Sequence, residues 1–287
     1  MARLHLVDGT FELFRAHFAP VPYKPKKATL GLVRSLKALA ADKDEAPTHV
    51  AVAFDNPIRS FRNDLFAPYK SDEGVPPELR AQFDTVEAAV RALGVVVWSM
   101  REWEADDALA TGARVYADQV DQVRIMTPDK DLAQCLRGDR VVQIDRRQRK
   151  LTDEATFRAT KGYGPASVPD FLALTGDTAD GIPGLAGFGE KSAGLLIGAY
   201  EHIEAIPARA DQWTVKPRGA LNLAATLAAE REQALFYRKL ATLIDTVPLT
   251  HTLEDLRYKG TPRALFDSWC DEVGATTVRT APRRWLD

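Results

Sequence analysis

The sequence predicts an α/β domain with a mostly parallel central sheet, followed by an all-helical region. Three observations predict it. Short apolar runs alternate with segments of helical periodicity over the first half, most of those runs end in an acid, and beyond about residue 151 only helical patterns remain. Continuous apolar runs are the pattern of strands buried on both faces, and parallel strands deliver the residues that follow them to one edge of the sheet.

In chain order, residues 4–7 read as a strand ending in Asp8, with Thr10 as the N-cap of a helix through FELFRAHF. A helix is expected over 29–41, then a fully apolar strand over 49–54 that ends in Asp55. The stretch SFRNDLFAPYKSDEGVPPELRAQF is too irregular and polar for core. Helices are expected over 77–93 and 104–116, with strands at 95–98, 123–126 and 141–144 and an exposed turn at RRQRK. TDEATFRAT, VPDFLALTG, EKSAGLLIGAY and one long helix, LNLAATLAAEREQALFYRKLATLI, complete the chain, with no tandem repeat. The expected boundary lies near residue 150, giving units 1–150 and 151–287.

Composition narrows the classes. At 287 residues and 45% hydrophobic, the chain has ample core for one large domain or a domain with an appendage. Cys135 and Cys270 are distant and lack a CxxC or histidine partner, which argues against disulfide and zinc roles. No apolar run is long enough to span a membrane and the N-terminus does not read as a signal peptide, so a cytoplasmic, monomeric protein is expected. The five tryptophans read as core and the ending TVRTAPRRWLD as an exposed tail. The formal charge of −2 decides nothing about nucleic acid, because nine clustered acids account for it; without them the remainder is +7.

Those nine are Asp8 in LHLVDGT, Asp55 in VAFDNP, Glu104, Asp106 and Asp107 in WEADDALA, Asp129 and Asp131 in MTPDKDLAQ, and Asp177 and Asp180 in GDTADGIPG. Anions in such number share a site only with cations, and hard divalent ions with oxygen ligands, Mg²⁺ or Mn²⁺, fit best. Spacing sets limits on geometry. Asp129 and Asp131 share a face of extended chain, and Asp177 and Asp180 share one if helical. Glu104 and Asp107 share a helix face, whereas Asp106 joins them only from an irregular first turn. Metal-dependent phosphodiester chemistry follows.

The order DGT…FD…EADD…TPDKDLAQ…GDTADGIPGLAGFGEK resembles the 5′-nuclease superfamily, which includes flap endonucleases and the 5′→3′ exonuclease domain of bacterial DNA polymerase I. The likeness runs from about residue 4 to about residue 200. It implies a PIN-like α/β domain, an arch or gateway near 70–90, and a helix–three-turn–helix DNA clamp at about 176–198. It also implies cleavage at DNA 5′ flaps, nicks or ends, RNA-primed ones included, during replication and repair alongside other proteins of those processes. Carried over, Asp8, Asp55, Glu104, Asp106 and Asp107 form the tighter metal cluster, and Asp129, Asp131, Asp177 and Asp180 the second. Lys70 and Arg15 match basic residues that hold the scissile phosphate, with Tyr69 placed to stack on a base. Gly184, Gly187, Gly189 and Lys191 match the duplex-binding hairpin, where some relatives hold K⁺. Two departures stand out: Ser71-Asp72-Glu73 where relatives commonly carry a further cation, and Gly181 where asparagine is frequent. The expectation is a stand-alone, active 5′ nuclease. The competing readings are a catalytically weak DNA-junction binder and a PIN-type endoribonuclease.

Overall fold

Six strands form the central sheet of the computed structural model, which describes residues 1–22, 24–280 and 284–286; part of the basic tail, 281–283 and 287, lies outside the described residues. They are β1 (Arg3–Asp8), β2 (His49–Asp55), β3 (Val96–Met100), β4 (Gln122–Met126), β5 (Val141–Asp145) and β6 (Lys150–Thr152), in spatial order β3-β2-β1-β4-β5-β6. All pairs are parallel except β5–β6. The chain builds outward from β1 to β2 and β3, then crosses back to place β4 on the other side of β1. Strand order therefore reverses between β1 and β4, and the crevice at their carboxyl ends is the natural ligand position in such a sheet. Asp8 ends β1 and Asp55 ends β2, at that same edge.

Helices α1 (Gly9–His17), α2 (Lys27–Ala41), α3 (Arg62–Leu65), α4 (Pro77–Arg80), α5 (Phe83–Ala92) and α6 (Ala105–Tyr116) belong to this first half. The alternation of the strands sorts them by face. Val50, Val52 and Phe54 pack with α2 and α5, whereas Leu4, Leu6, Ala51, Ala53, Val123 and Ile125 pack with Ala105, Ala108 and Leu109 of α6. The expected helix over 77–93 is two pieces. The second is a core helix with Phe83, Val86, Ala89 and Val90 buried, so residues 83–92 leave the expected arch, and the irregular segment ends near 82.

Helices α7 (Glu154–Lys161), α8 (Val168–Thr175), α9 (Glu190–Tyr200), α10 (Ala220–Ala229) and α11 (Arg231–Ala241) form a second core around Leu172, Leu196, Ile197, Leu223 and Leu240. The long helix expected here breaks at Glu230, whose backbone (φ −116°, ψ 21°) leaves the helical region. The sheet itself continues past residue 150 through β6. After α11 the chain returns to the first domain. Val247 and Leu256 pack on the α6 face, and α12 (Arg263–Val273) buries Phe266, Trp269 and Cys270 against the α2–α5 layer. Residues 245–278 are thus part of the first domain, because α5 and the outer strands would otherwise expose an apolar face.

One buried ion-pair network joins these parts. Arg62, 1% exposed, forks onto Asp107 with Nη1 to Oδ2 at 2.7 Å and Nη2 to Oδ1 at 2.8 Å. It also donates to Glu104 Oε1 at 2.8 Å and to the carbonyls of Leu240 and Thr242, both at 2.9 Å. Arg62→Ala leaves two buried carboxylates without their cation, so the unfolding free energy should fall by about 3–5 kcal/mol. Urea unfolding measures this, and a loss under about 1 kcal/mol would show that the network is not a structural tie.

Candidate metal and phosphate site

Hydrogen bonds, some local and some from distant segments, fix the direction of several of the expected acids. Asp8 caps α1, its Oδ1 accepting the Phe11 N–H at 2.8 Å, while the Thr127 hydroxyl donates to Oδ2 at 3.1 Å. The Asp55 carboxylate accepts the Ala105 N–H at 2.8 Å, which ties the end of β2 to the first turn of α6. Glu104 gives Oε1 to Arg62 and to the Ser60 hydroxyl at 2.8 Å, and Oε2 to Lys70 Nζ at 2.6 Å. Asp129 Oδ1 accepts the Asp131 N–H at 2.9 Å, within a turn after β4. Asp177 Oδ1 accepts the Ala179 N–H at 3.0 Å.

Eight of the nine expected acids form one electrostatic network. Asp106 interacts with Asp129, Asp8 and Asp55; Asp55 interacts with Glu104; and Asp131 interacts with Asp129, Asp180 and Asp177. Asp129 therefore bridges an inner group (Asp8, Asp55, Glu104, Asp106) and an outer one (Asp131, Asp177, Asp180), instead of belonging to the outer group alone. Asp106 does join from the first turn of α6. Asp107 does not join. Both of its oxygens are held by Arg62, with further donors from the Glu104 and Ile244 N–H groups at 3.0 and 2.8 Å, and it is fully buried. Its expected role as a metal ligand is replaced by a structural one.

The charge balance is one-sided. Arg62, Lys70 and Lys130 are the cations in ion-pair contact with this network: Lys70 with Glu104 and, at 3.8 Å, with Asp180, and Lys130 with Asp177 at 3.0 Å. Among the described residues, Asp8, Asp55, Asp106, Asp129 and Asp131 have no basic side chain in ion-pair contact. Burial first, then the neighbouring charges of Asp55 and Asp129, push Asp8 up to about 7. Burial and the same kind of repulsion raise Asp106 and Asp131 well above the carboxylate range. Burial would raise Glu104 too, but Lys70 and Arg62 outweigh it and hold it at about 2.

The residues present fit divalent cations. Carboxylate oxygens of Asp131, Asp177 and Asp180 lie within 4.8 Å of one another, and the buried Oδ1 of Asp131 has no hydrogen-bond partner. An all-oxygen, anionic set of this kind suits a hard ion.

The other expected residues divide. Lys70 sits where the inner and outer groups meet. Tyr69 is only 3% exposed, and its hydroxyl donates to Asp180 at 3.1 Å, so its ring has no free face for a base. An aromatic between proline and lysine reads as exposed, but its hydroxyl is drawn inward to the half-buried Asp180. Arg15 turns away from the acids to Glu12 at 2.5 Å and Ser35 at 3.4 Å, lining a cleft of about 640 Å³ with Arg34, Arg124 and Arg146. The two-turn spacing from Asp8 misled because Asp8 folds back as a helix cap. In the hairpin, Gly184 (φ +71°) could not carry a Cβ, which would lie 2.3 Å from Gly176 N. Gly187 and Lys191 are exposed, and Gly189 caps α9 with its N–H on Ser192 Oγ at 3.0 Å. Arg62, Ser60 and Thr127 were missed; Thr10, expected as the N-cap of the first helix, lies inside α1, where Asp8 is the cap, and its Oγ accepts the Asp55 N–H at 2.8 Å.

Family models described as "5′-3′ exonuclease, N-terminal resolvase-like domain" and "5′-3′ exonuclease, C-terminal SAM fold" match residues 3–162 and 163–264. The chain is 37% identical over 290 residues to DNA polymerase I of Pseudomonas aeruginosa, covering 95% of this chain but 31% of that protein. It is 33% identical over 266 residues to the 5′-3′ exonuclease of Bacillus subtilis, covering 88% and 87%. It thus spans about a third of the polymerase relatives and nearly all of the exonuclease. Among solved structures, T5 5′-exonuclease with bound zinc aligns with TM-score 0.68 at 18% identity, covering 95% of this chain and 98% of that one. The catalytic core of Rad2 in complex with DNA substrate aligns with TM-score 0.60 at 14% identity, covering 96% and 92%. Both show the shared fold.

The raised acids set a pH dependence. A carboxylate whose folded pKa lies above its unfolded value of about 3.9 stabilises at low pH and loses that contribution as pH rises through the folded value. With Asp8 at about 7, metal-free protein should melt at higher temperature at pH 6.5 than at pH 8.5. Below about 6.5 the buried His5 and His49, both lowered by desolvation, begin to oppose the trend as they protonate in the unfolded chain. Saturating Mg²⁺ should flatten the profile between 6.5 and 8.5. Melting curves in EDTA and in Mg²⁺ test this, and a Tm that climbs with pH in EDTA would remove the charge surplus as a feature of the site.

Proposed function

The chain belongs to the 5′-3′ exonuclease family, and from that membership we propose that it is a structure-specific 5′ nuclease acting with Mg²⁺ or Mn²⁺ on DNA flaps, nicks and 5′ ends. One observation carries the reading. At the point where strand order reverses, eight carboxylates gather in an inner and an outer group, with a half-buried lysine where the two meet. A binding module has no need of so many unneutralised acids, whereas hydrolysis of a phosphodiester does.

The inner carboxylates would hold one ion, and Asp131, Asp177 and Asp180 a second. Bound there, such ions polarise a phosphoryl oxygen and lower the pKa of a coordinated water. The chain's own groups do the rest. Lys70 places a positive charge beside both groups, where it balances the charge of a bound phosphate. Thr127 aims Asp8, and Ala105 aims Asp55, so neither acid has to be reordered when substrate binds. The turn between α8 and α9, with Gly184 in its tight bend and Gly187, Gly189 and Lys191 exposed, is assigned to the downstream duplex, with K⁺ as its candidate ion. In the cell the substrates would be displaced RNA-primed flaps and repair intermediates, met in the cytoplasm.

The test is a set of labelled substrates, a 5′ flap, a nicked duplex and a single-stranded RNA, each with Mg²⁺ or EDTA. Metal-dependent cleavage of the flap near its junction is expected. Asp106→Asn should abolish cleavage and retain flap binding, and Lys70→Ala should lower turnover by about 10²-fold or more with a modest change in affinity. Flap binding without cleavage by the wild type would leave a junction-binding protein. Selective cutting of the RNA would make it an endoribonuclease.

A further inference from the structure

Lys130 lies between two of the acids in sequence and contacts a third in space. Its Nζ is 3.0 Å from Asp177 Oδ2, while its side chain is 54% exposed. Asp177 is itself buried, and with Asp131 and Asp180 it forms the outer group, whose oxygens lie within 4.8 Å of one another. Within that group the orphaned Oδ1 of Asp131 shows coordinating capacity that no protein donor fills. Asp177 of the outer group is thus already paired with a cation, and that cation belongs to the chain.

We infer that Lys130 is an internal placeholder for the outer ion: it neutralises Asp177 in the metal-free protein and must withdraw before a divalent ion is held there. Three features fit this role. The contact is a single point charge on one oxygen of Asp177, without the bidentate geometry that makes Arg62 permanent. The long, half-exposed stem lets the ammonium move without disturbing a core. Lys130 also borders a cavity of about 260 Å³ lined by Phe157, Tyr163, Phe171 and Thr175, an apolar place for the stem once the ammonium leaves. Lys70 differs on each count. It is 18% exposed at the side chain and touches both groups, so it stays when the outer ion arrives.

The consequence is a threshold. A resident positive charge a few ångströms from an incoming divalent ion weakens its binding, so Lys130 sets the metal concentration at which the outer site fills. This rests on the nuclease reading only in taking the outer group as a metal site. Mn²⁺ binding to the free protein without DNA is therefore the measurement, followed by titration calorimetry. Lys130→Met should tighten the weaker class of Mn²⁺ sites by about tenfold, the scale for removing one unit charge near a divalent ion in a solvent-exposed setting. The tighter class should not change, and Lys130→Arg should stay near the wild type. An unchanged or weakened outer site in Lys130→Met, with Mn²⁺ still bound, overturns this inference alone. Absence of any Mn²⁺ binding to the wild type would instead overturn the metal site itself.

Discussion

The buried guanidinium of Arg62 is the constraint on which the rest depends. A charge at 1% exposure persists only if its surroundings are anionic and fixed, and here Asp107 supplies a fork, Glu104 a further carboxylate oxygen and two carbonyls at the end of α11 the remainder. Three distant pieces of chain are thereby held to one point: the segment after β2, the first turn of α6 and the exit from the helical domain. That first turn also presents Glu104 and Asp106. Its position relative to the strand ends is set by Arg62 on one side and by the Asp55–Ala105 hydrogen bond on the other. Adjacent acids consequently have opposite fates. Asp107 is turned inward and saturated, and Asp106 is left to repel its neighbours.

That repulsion is the energetic signature of the site. Hydrogen bonds from Phe11 and Thr127 favour the ionised form of Asp8, yet desolvation and the charges of Asp55 and Asp129 prevail. A group that is oriented for anionic work but raised out of its ordinary range stores free energy that a divalent cation releases on binding. Glu104 shows the opposite balance because two cations already face it. Membership of the 5′-3′ exonuclease family and this charge surplus point the same way.

How much of this was legible in the sequence follows from where the determining contacts lie. Apolar runs ending in Asp8 and Asp55 announced both the parallel strands and the site edge, since burial on two faces leaves its mark on every residue of a strand. The hairpin was legible because Gly184 needs a backbone conformation that other residues rarely adopt. Arg62 was not, because its partners stand 42 to 180 residues away and nothing local distinguishes SFRNDL from a solvated loop. The same reason hid the return of α12 to the first domain and the burial of Tyr69. Asp107 was misassigned because helical spacing gives the angle between side chains and not which of them meets a cation. The break at Glu230 went unseen because its flanks, LAAE and REQA, are both strong helix formers.

Gly181 connects the turn between α8 and α9 to the segment that carries Lys70. It adopts φ +72°, and a Cβ there would lie 2.4 Å from the Pro68 carbonyl oxygen. Asparagine tolerates that backbone conformation, but here its side chain would have to displace Pro68. Glycine instead lets the GDTADG loop close onto the segment before Lys70, and the Lys70 N–H donates to the Asp180 carbonyl at 3.0 Å. The Tyr69 hydroxyl adds a second tie to the Asp180 carboxylate. The backbone of Lys70 is therefore anchored to the outer acids, while its ammonium reaches the inner ones at Glu104. The turn between α8 and α9 is thus tied to the backbone of Lys70 within two residues, so that under the proposed function a grip on duplex and the placement of the Lys70 charge would be coupled. Glycine at 181 is what permits that close approach.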